Sequence, residues 1–170
     1  MKKHILLILS LLFYSVTYSQ DYEMLGSQRE YIIENFSESN GFSLLDSNKN
    51  EMQFTYVFDG DTTSNVTCFF GTEWPFDDVV CTKIIWEFFC DKCAEENIAS
   101  ITNDKGEWIE SESNYYVSKK RLGCDLSFAK DRESCVKTMR VTNTPNQNVK
   151  TTILFKMETM RTKTWKELIK

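Results

Sequence analysis

Cysteine is the residue with the most chemistry in this chain, and Cys90-Asp91-Lys92-Cys93 is its tightest grouping. A thiolate at a helix N-terminus is stabilised by the unpaired N–H groups of the first turn, and Lys92 adds positive charge. Such a pair can exchange with another disulfide. Four further cysteines, Cys68, Cys81, Cys124 and Cys135, make an even total of six. In an oxidising compartment an even number reads as a disulfide framework. If Trp74-Pro75 centres a hairpin, Cys68 and Cys81 fall opposite each other, with side chains within about 5 Å. A bridge there would close a loop of about 14 residues and stabilise the fold by about 3 kcal/mol. Cys90 and Cys93 then read first as structural, bridged to Cys124 and Cys135. A four-cysteine metal site from these last four is set aside, because only one C-x-x-C is present. No metal or other cofactor is expected.

An apolar strand over residues 84–89, then the C-x-x-C, then a helix to about residue 102 resembles the active site of thioredoxin-like oxidoreductases. The resemblance implies Cys90 as the attacking thiol and Cys93 as the resolving one. Outside residues 84–102 the pattern departs from that family. Its proline directly before a strand has no counterpart, since Pro145 lies several residues ahead of a strand at 149–158.

Other constellations fail on spacing. Asp46, Asn48 and Asn50 copy the first ligands of a calcium loop, but Glu51 stands where the turn needs Gly and Val57 where a chelating Glu belongs. Ser134-Cys135-Val136-Lys137 has S-x-x-K spacing, but in a β pattern i and i+3 point to opposite faces. Glu110 and Glu112 share a strand face about 7 Å apart, a spacing glycosidases use, with nothing to mark a cleft. Among the tryptophans, Trp74 sits on the expected hairpin loop and is the candidate anchor for a binding partner.

The elements that position these residues follow from periodicity. Ser27-Gln28-Arg29-Glu30 has the form of a capping box, and Ile32, Ile33 and Phe36 give a helical stripe over about 28–38, stopped by Asn40-Gly41. Strands are expected at 42–45, 52–58, 66–70 and 79–89. A second helix spans 91–102 and ends at Asp104-Lys105-Gly106. Strands at 108–117, 124–129, 136–141 and 149–158 follow, then a helical turn from Thr164. Helix and four strands, twice, predicts an α+β fold. Its N-terminal and mid-chain helices would pack on a mainly antiparallel sheet stapled by disulfides.

Residues 1–19 read as a bacterial-type signal peptide: Lys2 and Lys3, an apolar stretch from Ile5 to Val16, and small residues around the cut after Ser19. That stretch is too short to span a bilayer of about 30 Å. Secretion or periplasmic residence is therefore expected, with no membrane span after cleavage and residues 20–170 as a single domain. Cleavage leaves 18 basic residues against 25 acidic, a net charge of −7, and removes His4, the chain's one histidine. The mature chain then lacks Ser-His-Asp and Cys-His nucleophile systems and histidine metal ligands. Its charge argues against nucleic acid as a partner. The first functional expectation is a non-enzymatic exported module that binds an unknown protein or small ligand. The rival is a thiol–disulfide oxidoreductase working through Cys90 and Cys93. They differ in whether the pair is bridged elsewhere or locally.

Overall fold

A computed structural model describes residues 24–58, 61–72, 78–103, 107–122, 133–143 and 148–170. The signal segment, Trp74, Cys124, Asp104-Lys105-Gly106 and the strand expected at 124–129 lie outside the described residues.

The described chain runs helix α1 (Arg29–Asn35), a 3-10 turn (Glu38–Asn40), strands β1 (Phe42–Ser47), β2 (Glu51–Phe58), β3 (Asp61–Gly71) and β4 (Val80–Phe88), and helix α2 (Asp91–Thr102). Strands β5 (Trp108–Glu112), β6 (Tyr115–Arg121), β7 (Glu133–Asn143) and β8 (Thr151–Arg161) and helix α3 (Thr162–Leu168) complete it. All eight strands form one antiparallel sheet in the order β1-β2-β3-β4-β8-β7-β6-β5. This overturns the expected α+β layout. There are not two helix-plus-sheet halves. The four-strand runs join edge to edge through β4 and β8, and the helices are short pieces against one large sheet.

The N-terminal helix is the clearest local correction. In place of a helix over 28–38 there are two turns, and the capping box does not form, since the N-cap is Gln28 with no side-chain cap. Ser27 is engaged elsewhere: its carbonyl accepts the Cys81 N–H at 2.9 Å, while Gly26 N–H donates to the Cys81 carbonyl at 2.8 Å. Phe36 then leaves helical geometry to lie 4.6 Å from the Phe42 ring and 4.9 Å from Phe54. Packing of three aromatic rings outweighs a third helical turn.

One face of the sheet carries the main core. Met52, Phe54, Val66, Ile84, Trp86, Phe88, Ile153 and Phe155 are almost fully buried on it, under Ile32 of α1, Phe36 just past its end, and Ala94 and Ile101 of α2. Each large side chain so buried contributes about 2 kcal/mol of transfer free energy. The other face is covered at one end, where Trp165 of α3 sits with Val117 and Val136. Trp165 Nε1 donates to the Ser118 carbonyl at 3.0 Å, which fixes the indole's orientation.

The hairpin register also differs from expectation. Cys68 pairs with Ile84, and Phe70 with Cys81, with a bulge between Phe69 and Phe70. The described register runs on to Gly71 opposite Val80. Cys68 and Cys81 therefore do not face each other, and no bridge joins them. Both are buried on the core face, Cys81 as a free thiol.

Candidate functional site

β4 delivers the chain to the C-x-x-C. At its end Phe89 N–H donates to the Thr63 carbonyl at 3.0 Å, so residue 90 leaves from a fixed point on the sheet. Cys90 has extended geometry and is the N-cap of α2. Asp91 in the first turn complements the helix dipole, and Ala94, Asn97 and Ile101 form the buried stripe that seats the helix. Asn97 Nδ2 donates to the Cys93 carbonyl at 2.9 Å, which buttresses the first turn from below.

Cys90 and Cys93 are bridged to each other, with their Cα atoms 5.4 Å apart. This corrects the first reading, which bridged them to Cys124 and Cys135. Cys135 lies buried on β7, and its carbonyl accepts the Leu122 N–H at 3.0 Å. The Cys90 sulfur also accepts the Cys93 N–H at 3.1 Å. That contact is the stabilising interaction a thiolate would use after reduction. The two sulfurs differ in setting: Cys93 packs against the main core, while Cys90 caps the helix end between two exposed residues, Asp91 and Lys92, and Phe89. Lys92 contributes less than its sequence position suggests. Its ammonium is 3.7 Å from Glu96, both well exposed, so the pair's charges offset each other.

A bridge within one helical turn pins no second element. Closing a four-residue loop gives about 2 kcal/mol in the chain-entropy model, against about 3 for the longer loop expected between Cys68 and Cys81. Both cysteines are partly buried, and the bond is structurally local.

Two of the other constellations resolve into turn devices, while Ser134–Lys137 lies within strand β7. Asn48 and Asn50 belong to the β1–β2 turn, where Asn48 Oδ1 accepts the Asn50 N–H at 3.0 Å. Glu110 accepts the Asn114 N–H at 2.9 Å, and a bulge separates it from Glu112. Among the described residues no three His, Cys, Asp or Glu side chains are grouped to hold a metal ion, and no helix is long and apolar enough to cross a membrane.

Two polar features were not expected. Glu107, almost fully buried, takes Lys120 at 2.8 Å, Lys137 at 3.4 Å and the Ser118 hydroxyl at 3.3 Å. On the less covered sheet face, Lys83 of β4 stands directly opposite Lys156 of β8. Both lysines occupy outward positions of alternating strands, which the sequence shows. Their meeting depends on the β4–β8 pairing, which it does not.

No family model, curated protein or solved structure matches this chain.

Proposed function

We propose that the chain acts by thiol–disulfide exchange at Cys90–Cys93. The observation that carries this reading is the local bridge at the N-terminus of a seated twelve-residue helix, with the Cys90 sulfur already accepting a backbone N–H. In the reduced protein the Cys90 thiolate attacks one sulfur of a partner protein's disulfide and expels a thiolate. The Cys93 thiolate then attacks Cys90 Sγ, releases the second partner thiol and regenerates the Cys90–Cys93 bond. Two electrons pass from this pair to the partner, and the reverse sequence oxidises a dithiol partner. Neither direction needs a cofactor. Alkylation mass spectrometry of the full chain tests it. Millimolar dithiothreitol should open Cys90–Cys93 within minutes, and a Cys93→Ser variant should accumulate a mixed disulfide at Cys90. A pair that resists this reduction, or a variant that traps nothing, would refute exchange chemistry.

A second reading, a non-enzymatic binding module, is favoured by the partly exposed sheet face at Lys83, Ile85, Leu154 and Lys156 of β4 and β8. It is tested by the loss of partner capture when that face is altered. In both readings residues 1–19 direct export to the periplasm or medium. Mass analysis of the exported protein should find an N-terminus at Gln20.

A further inference from the structure

We infer that the partly exposed sheet face at β4 and β8 binds a small anionic amphiphile, with its carboxylate group held between Lys83 and Lys156. This rests on the binding-module reading and names its ligand class.

Like charges directly across an antiparallel pair are destabilising, with Cβ atoms only about 5 Å apart. Lys83 and Lys156 hold such a position near the middle of the sheet, in a chain whose overall charge is negative. Lys83 is not free to swing away, because its ammonium lies 3.7 Å from the centre of the Phe69 ring. Lys156 is half exposed, and its nearest acid is Glu158 at 3.9 Å, a marginal ion-pair distance. One step along the strands, Ile85 pairs with Leu154, so an apolar strip adjoins the two ammonium groups on the same face. Beyond it Arg140 pairs with Leu154 and stacks over Tyr115 at 4.8 Å. A ligand whose head group bridges the lysines can lay its hydrocarbon on Ile85 and Leu154. Glu87, paired with Thr152, lies on the same face at the far end of this strip, away from the two lysines.

Laurate below its micelle concentration, dodecyltrimethylammonium and the uncharged dodecyl maltoside serve as probes, with backbone amide shifts as the readout. Laurate should shift β4 and β8 amides at one-to-one stoichiometry, and dodecyltrimethylammonium should not. Lys83→Glu should weaken laurate binding about tenfold or more. The same variant should raise the melting temperature, since it replaces a repulsive pair with an attractive one. Opposite signs for stability and binding separate a ligand site from a structural role. If all three probes bind alike and Ile85→Ser abolishes them, the charge inference fails while the binding-module reading survives. If no probe moves β4 or β8, the anionic-amphiphile inference fails, and the binding-module reading stands or falls on partner capture.

Discussion

Glu107 leaves only 3% of its side chain exposed, yet it serves two lysines and a hydroxyl. Removing one member of a buried charged group leaves the others poorly solvated. Glu107→Ala should therefore cost about 3 kcal/mol in urea unfolding, and Lys120→Ala, at an exposed lysine, less than about 1. Tyr115 offers a pH test. Burial first, then the Glu158 charge and its 3.0 Å hydrogen bond, push its pKa from 10.0 up to about 12. The folded state holds this proton more tightly than the unfolded chain. Its contribution is thus complete below pH 10 and is lost as pH rises toward 12. Melting temperature should fall across that window, and Tyr115→Phe should make the fall shallower. Tyr116, raised by burial and Glu110, accounts for part of the remaining slope. At this scale the C-x-x-C motif and its helix were legible because they are adjacent in sequence, but the local bridge was not, since Cys90 and Cys93 were expected to pair with Cys124 and Cys135. The Glu107 cluster was not, because Lys137 arrives from β7, thirty residues away.

Single elements depend on a few backbone and side-chain contacts. Gly41 ends the 3-10 turn and starts β1 with φ +82°, and a Cβ there would come within 2.8 Å of the Tyr56 ring. Gly41→Ala should cost about 1–3 kcal/mol, measured by chemical denaturation, since both the backbone angle and the ring contact are strained. Trp165 holds α3 on the sheet, and Trp165→Ala should cost about 3 kcal/mol. Isolated elements were readable where a single period dominates. Ile153, Phe155 and Met157 of β8 are buried while Lys156 faces out, and helix 91–102 is found as Asp91–Thr102. A single strand at 108–117 was wrong, because Asn114 turns the chain at φ 59° and makes a hairpin of β5 and β6. Asn tolerates that angle, so Ser113-Asn114 was the signal to read.

At the scale of the molecule, the fold rests on β4 and β8 lying side by side, a pairing that no local pattern announces. Alternation says which face a residue takes, not which strand is its neighbour, so the two four-strand runs looked like separate halves. The same ignorance of register misplaced Cys68 against Cys81. One continuous sheet with one main core should unfold in a single cooperative transition, and two resolved calorimetric transitions would contradict it. Reducing Cys90–Cys93 should lower the melting temperature by only about 4–8 °C, because the bridge closes one helical turn. The most direct test of exchange chemistry is the reduction potential of this pair, measured by equilibration with glutathione buffers and alkylation. A thiolate held by the α2 N-terminus predicts a value between about −270 and −120 mV, where thiol–disulfide exchange proteins lie. A value below about −300 mV would mark the bridge as a structural bond and contradict a redox role for Cys90 and Cys93.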